Sequence, residues 1–311
     1  MSHMRKFYLK CDESSNGFRI NSWISAVISR KVEELILILE ADEPDEIPPS
    51  LFTCGSLVSL ELQLPNLYLR LPNCISFPRL KVLRLFGINF GDDLLTEQLF
   101  SSCPILEDLI MRDCTWLYME NLCISAPALK RLEIDNSFLK DVDYEDGLED
   151  CMVKIHAPSL VSLVYKGSVA REYDLSSFPL LVDADINFVS ETLTETWDAK
   201  ISYSAGVRVN EFLRGLTNVN CLKVSGQAIK GLSFADDLLK DLAPFCNLIQ
   251  LDVTGVLETS ADTGICALLQ LAPRLESLIF REARFTNGPS NEDEGWTLKW
   301  ASLVLAVDFY A

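Results

Sequence analysis

The chain has 311 residues, of which 49% are hydrophobic and 23% charged, a composition that supports a continuous core and excludes an intrinsically disordered polypeptide. Its 27 basic and 45 acidic residues give a formal net charge of −18. Because this charge repels phosphate backbones and anionic bilayers, neither nucleic acid nor a membrane is expected as a partner, and a basic protein surface is the more natural complement.

The first part of the chain predicts a strand, a helix and a second strand. An apolar cluster at residues 7–9 fits a short leading strand, and residues 21–28 predict a helix with Asn21 or Ser22 as its N-cap. The phrase VEELILIL, which begins at Val32, predicts the first complete strand of a longer series.

That phrase has nine related copies downstream, among them LVSLEL, LKVLRL and LEDLIM. The ten copies begin at Val32, Leu57, Leu80, Leu106, Leu129, Leu160, Leu181, Val219, Leu248 and Leu275, in steps of 21 to 38 residues. In six of them a proline stands two residues earlier, where it is expected to end the preceding segment and to favour an extended chain. The repetition predicts an α/β leucine-rich-repeat solenoid (RNI-like), with about ten parallel strands on the concave face and helices and loops on the convex face.

The segments between the phrases predict the convex side. Return helices are expected at residues 92–103, 235–246 and 260–272, with Asp92 or Asp93 and Ser260 or Asp262 as caps. The acidic segment 141–150 predicts a loop, and the irregular segment 189–217 contains a weak helix at 208–213. Residues 1–290 are therefore expected to form the solenoid.

No pattern of residues indicates catalysis or a cofactor. The ten cysteines include no C-x-x-C pair and are predicted to be buried thiols, and only His3 and His156 could supply imidazole to a metal. The chain has no glycine-rich nucleotide motif, and an EF-hand beginning at Asp141 would place Asp146 and Met152 where glycine and glutamate are required. We expect a protein that is not an enzyme and that holds no metal or cofactor.

The outward positions of the strands, between the buried leucines, are the most informative for function. A solvated sheet face does not require large apolar side chains, and arginine beside exposed apolar residues is typical of interface hot spots. The alternative is that helices, loops or a neighbouring segment cover these positions. The predicted protein-binding patch consists of Val82, Arg84, Phe86, Ile110 and Arg112, and it extends to Arg131, Glu133 and Val164.

Several phrases, in this order, resemble plant F-box proteins of the FBD/leucine-rich-repeat type. They are Trp23 followed by RKVEEL at residues 30–35, PPSLFTCGSL at 48–57, SCPILEDL at 102–109, APSL at 157–160 and LTNVNCL at 216–222. The resemblance implies the substrate-receptor role of a cullin-RING ubiquitin ligase, in which an F-box binds a Skp-type adaptor and the repeats select the protein to be ubiquitinated.

Both ends of the chain differ from the family pattern. The L-P-x-x-x-L helix of an F-box has no counterpart before Trp23, so a Skp-type adaptor is expected only if an F-box is supplied elsewhere. Residues 291–311 are expected to be a truncated or divergent start of an FBD-like segment. Two alternatives stay open: a co-receptor for a small ligand or hormone, which would need clustered basic residues, and a truncated paralogue without a ligase role. Without the apolar core of a signal peptide, the protein is expected to be soluble and intracellular, in the cytoplasm or nucleus.

Overall fold

A computed structural model describes residues 4–11, 17–39, 47–137, 147–176, 178–188, 199–235, 237–238, 242–258 and 261–286. The chain divides into two compact units, unit 1 (Met1–Leu180) and unit 2 (Leu181–Ala311). The predicted FBD-like segment and most of the acidic loop at 141–150 lie outside the described residues.

The described residues of unit 1 form two parallel sheets and two α-helices. Its elements are β1 (Lys6–Cys11), α1 (Gly17–Ser29), β2 (Glu34–Leu39), β3 (Ser59–Tyr68), β4 (Val82–Asn89), α2 (Asp93–Ser101), β5 (Asp108–Arg112), β6 (Asn121–Ser125), β7 (Arg131–Asp135), β8 (Met152–His156), β9 (Ser162–Gly167) and β10 (Glu172–Leu175). The main sheet has the order β1-β2-β3-β4-β5-β7-β9, and β10-β8-β6 form a second sheet.

Unit 2 repeats the alternation of strand and helix. Its elements are β11 (Asp183–Phe188), α3 (Ala199–Arg214), β12 (Cys221–Ser225), α4 (Gly226–Phe234), β13 (Gln250–Glu258), α5 (Ala261–Leu271) and β14 (Ser277–Thr286), and its strands are parallel in chain order. All ten leucine-rich phrases therefore form strands, β1 is the expected leading strand, and the prediction of a leucine-rich-repeat solenoid is confirmed.

The repeats join through one recurring hydrogen-bond pattern. The carbonyl of Lys81, just before β4, accepts from the amides of Glu107 and Asp108 in the next repeat, and the carbonyl of Glu107 accepts from Lys130 and Arg131 in turn. Each strand thus begins at a fixed offset from its neighbour, so that the leucines of successive repeats stack in register. Leu83, Leu109 and Leu132 are aligned in this way and are fully buried.

The prolines before the strands were predicted to favour an extended chain, but the structure places them in turns. The amide of Leu80 donates to the carbonyl of Phe77, three residues earlier, and Leu106 bonds Cys103 in the same way. Pro78 and Pro104 therefore occupy the second position of a β-turn, where the fixed φ of proline is favourable.

The second sheet was not expected, because only helices and loops were predicted there. Its strands have five, five and four residues and lack the leucine-rich phrase. Leu122 and Ile124 of β6 and Val153 of β8 are buried, whereas His156 at the end of β8 is exposed. The Asp93 carboxylate, at the start of α2, accepts from the amides of Glu120 and Asn121 and so fixes this sheet to the helix.

The helix predictions had mixed outcomes. Those at 92–103 and 260–272 are confirmed as α2 and α5, and Asp92 caps α2 by accepting from the Leu95 amide at 2.9 Å. The helix predicted at 21–28 is real but begins at Gly17, so that Asn21 and Ser22 lie inside it. The weak helix at 208–213 is part of the longer α3.

The helix predicted at 235–246 is wrong for the residues of that range that the structure describes, 235, 237–238 and 242–246, none of which is α-helical. The helix of this repeat is α4, which follows β12 directly and is capped by Ser225, whose hydroxyl accepts from the Ala228 amide at 3.2 Å. The low helix propensity of Gly226 and Gly231 hid it from the sequence pattern. Gly226 lies at a close backbone contact, since a Cβ there would be 1.8 Å from the Val256 carbonyl oxygen.

All ten cysteines are thiols, and five of them, including Cys103 and Cys114, are buried. Burial raises the pKa of both of these thiols to about 12. Within the described ranges, no helix is both long enough and apolar enough to cross a bilayer.

Candidate protein-binding surface

The outward side chains of the main sheet in unit 1 form three rows that cross all seven strands. The first row is Lys6, Glu34, Ser59, Val82, Asp108, Arg131 and Ser162. The second is Tyr8, Ile36, Glu61, Arg84, Ile110, Glu133 and Val164, and the third is Lys10, Ile38, Gln63, Phe86, Arg112, Asp135 and Lys166. We call these three rows the open face of unit 1. All eight residues of the predicted patch lie on it.

The apolar members of the predicted patch differ in accessibility. Val82, Phe86 and Val164 are half-buried, so part of each side chain is available to a partner. Ile110 is only 9% exposed, although it stands in the second row between Arg84 and Glu133. Phe86 and Val82, both on β4, therefore supply more accessible apolar area in the predicted patch than Ile110 does.

Phe86, Arg112 and Glu133 form the most ordered group on the open face. The Arg112 Nε donates a hydrogen bond to the Glu133 carboxylate, and the guanidinium carbon lies 6.0 Å from the centroid of the Phe86 ring. The hydrogen bond to Glu133 is the main reason that the pKa of Arg112 is raised. The guanidinium is thus held in one orientation over an aromatic ring, an arrangement that contributes cation–π attraction.

The remaining charges of the open face are also arranged in pairs across neighbouring strands. Arg84 lies 3.8 Å from Glu61, Arg131 lies 3.9 Å from Asp108, and Lys166 lies 3.2 Å from Asp135. Exposed pairs of this kind contribute about 0–1 kcal/mol each to stability. Each arginine of the predicted patch therefore already has a carboxylate partner within the chain.

Asp135, the carboxylate of the third row, accepts hydrogen bonds from the amide and hydroxyl of Ser137 and from Lys166. Burial by itself raises the pKa of this carboxyl, but hydrogen bonds from Ser137 and Lys166 outweigh it, so that the pKa is lowered. The neighbouring Asp113 has the opposite shift, since burial and then the charge of Asp135 raise its pKa.

A further group of charged residues lies just before the strands β4, β5 and β7. Lys81 and Lys130 each donate to the Glu107 carboxylate at 2.8 Å, linking three successive repeats. The hydrogen bonds from Lys130 and Lys81 lower the pKa of Glu107 to about 2.

Unit 2 carries similar pairs on its own strands. Lys223 of β12 lies 3.1 Å from Asp185 of β11, and Arg281 of β14 lies 2.7 Å from Asp252 of β13. In both units the described outward arginines and lysines alternate with acids, an arrangement unlike the clustered cations that a polyanionic ligand requires.

All eight predicted residues lie on the outward face of the sheet, but several of the acids that pair across the strands were not included. Glu61, Asp108 and Asp135 were not among the predicted site residues. The phrase alignment does give Glu61 as an outward position, because the fifth position of successive phrases forms the second row: Glu61, Arg84, Ile110, Glu133 and Val164.

The repeats that form this surface match known proteins. Residues 20–173 match the family model described as FBD-associated F-box protein At5g56370, LRR repeats. F-box/LRR-repeat protein At3g59190 of Arabidopsis thaliana is 31% identical over 287 residues, which cover 89% of this chain and 71% of that protein. The chain belongs to the F-box/LRR-repeat family.

Two further members from Arabidopsis thaliana are similar over most of the chain. Putative F-box/FBD/LRR-repeat protein At3g59240 is 32% identical over 285 residues, covering 90% of this chain and 53% of its own length. F-box/LRR-repeat protein At3g59200 is 32% identical over 294 residues, which cover 89% of this chain and 54% of that protein. This chain thus spans little more than half the length of these two relatives. The matched family model includes β2 to β9, and hence all eight residues of the predicted patch.

Proposed function

We propose that this F-box/LRR-repeat protein is a non-catalytic protein-interaction module, and that its partner binds the open face of unit 1. The observation that carries the proposal is Phe86, a half-buried aromatic side chain at an outward position of β4. Arg112 lies over the Phe86 ring, and Val82 faces outward four residues earlier on the same strand. Aromatic and arginine side chains with restricted rotamers are enriched in interface hot spots, because little conformational entropy is lost when they bind.

The finer role that we propose is the substrate-recognition region of an F-box/LRR ubiquitin-ligase receptor. Membership of the family supports it, since the repeats of such receptors are the part that selects the target protein. A Skp-type adaptor is a further partner only where an F-box is supplied elsewhere.

The proposal is tested by affinity capture from a plant extract with the full chain and two matched variants. Phe86→Ala removes the aromatic ring from the open face, and Phe18→Ala removes one from α1, where the side chain is 87% exposed. We expect Phe86→Ala to reduce recovery of the specific partner by about tenfold or more, as is typical of a hot spot, and Phe18→Ala to leave it unchanged. Equal recovery by all three proteins would refute the assignment to the open face.

A further inference from the structure

The open face carries almost no net charge, in contrast to the chain as a whole. Its basic residues are Lys6, Lys10, Arg84, Arg112, Arg131 and Lys166, and its acidic residues are Glu34, Glu61, Asp108, Glu133 and Asp135. The chain has 27 basic and 45 acidic residues. The negative charge that favours a basic partner is therefore carried outside this face.

Each carboxylate of the open face also has a basic partner within the chain. Glu34 lies 3.6 Å from Lys6, and the other four carboxylates form the pairs with Arg84, Arg131, Arg112 and Lys166 described above. A lysine or arginine of a partner would have to displace one of these cations before it could form a pair of its own. Basic partners therefore gain little here, although the acidic surfaces elsewhere attract them.

An acidic partner meets the corresponding obstacle. A carboxylate that approaches Arg112 comes close to Glu133, which already accepts the Nε hydrogen bond. Two like charges about 4 Å apart repel by roughly 1 kcal/mol even in bulk water, and by more near a protein surface. Arg84 and Arg131 have the same arrangement with Glu61 and Asp108.

Apolar contact is what the open face can still offer. The exposed parts of Phe86 and Val82 lie on one strand, and the Arg112 side chain, which is half exposed, places its guanidinium carbon 6.0 Å from the centroid of the Phe86 ring. Building on the binding role proposed above, we propose that the segment recognised by the open face carries little net charge and places an aliphatic or aromatic side chain against Phe86. Its binding is accordingly insensitive to salt.

A random dodecamer peptide library displayed on phage tests the chemistry of this segment with the full chain as bait. Peptides are selected on the wild-type protein, and those that also bind Phe86→Ala are removed, which leaves the ligands of the open face. We expect the remaining peptides to have a net charge near zero and a shared large apolar residue. Their affinity should change by less than about twofold between about 50 mM and 500 mM NaCl, a range in which screening weakens exposed charge attraction strongly.

The Glu133→Gln variant provides a converse test, because it removes the carboxylate that holds Arg112. With the Glu133 charge removed from Arg112, selection on this variant should recover peptides more acidic than those selected on the wild type, and their affinity should fall with salt. Glu97→Gln on α2, an exposed residue away from the open face, is the control and should select the same neutral peptides as the wild type.

The outcomes separate this inference from the proposed function. If peptides that depend on Phe86 are strongly basic or acidic, or lose about tenfold or more in affinity with salt, the open face binds but the inferred chemistry is wrong. If the library yields peptides but none depends on Phe86, the assignment of binding to the open face is itself refuted.

Discussion

Replacing Leu83 by alanine is expected to destabilise unit 1 by about 2–5 kcal/mol. Leu83 is fully buried on the inward side of β4, aligned with Leu60 of β3 and Leu109 of β5. Losing three buried carbon groups costs about 2.4 kcal/mol at about 0.8 kcal/mol each, and the cavity left between repeats adds to that loss.

The matched control is Leu94→Ala on α2, where the same side chain is 77% exposed. This change should alter stability by less than about 0.5 kcal/mol. Both variants are measured by urea denaturation followed by circular dichroism, with the midpoint and slope fitted separately. Because a shift of one residue in register moves every side chain of a strand to the other face, a loss below about 1 kcal/mol for Leu83→Ala would refute the alignment of β4 on which the open face depends.

Three further predictions follow from single residues. Gly147→Ala should lower the melting temperature, because φ at Gly147 is +79° and the new Cβ would lie 2.7 Å from the backbone of Trp116. Gly55→Ala is the control and should leave the melting temperature unchanged, since the atom nearest to its new Cβ would be 3.7 Å away. Equal shifts in the two variants would contradict the prediction. The pKa of Glu107 is lowered to about 2, so the contribution of this carboxylate to stability is present above the ordinary value of 4.5 and is lost as the pH falls towards 2. Glu107→Gln should therefore make the urea midpoint depend less on pH in the acid range. A pH profile identical to that of the wild type would exclude this contribution of Glu107. Iodoacetamide at pH 8 should modify the exposed Cys74 before the buried Cys103, whose pKa is raised to about 12, and mass spectrometry showing the reverse order would be inconsistent with the fold.

The main sheet could be predicted from the sequence because its rule is local and repeated. Each leucine-rich phrase supplies inward residues at fixed positions, so aligning the phrases gives both the number of strands and their register. The position of Arg84 between Glu61 and Ile110 follows directly from that alignment. The same rule placed the predicted patch on one face.

The rest depends on contacts that no repeat pattern encodes. The Arg112–Glu133 bond joins residues of different rows on adjacent strands, and it is set by side-chain rotamers rather than by register. The strands β6, β8 and β10 are too short, and too unlike each other in sequence, to be recognised as copies of one repeated phrase. The helix α4 contains two glycines that weaken its propensity, and one of them, Gly226, is explained by the close approach of the Val256 backbone.

The low exposure of Ile110 is a further property that the sequence could not supply. Its place in the second row is given by the phrase alignment, but its 9% exposure depends on the side chains around it. Accessibility on a sheet face is therefore a tertiary property even where register is local.

The most direct test of the central claim is site-specific photo-crosslinking from the open face. A photoreactive phenylalanine analogue is placed at Phe86 in one protein and at Phe18 in another, and each full chain is irradiated in the same plant extract. We expect a discrete partner protein to be crosslinked from position 86 and not from position 18, and the crosslink to be lost when Val82→Asp is added. Crosslinking of the same proteins from both positions, or none from position 86, would contradict binding through the open face.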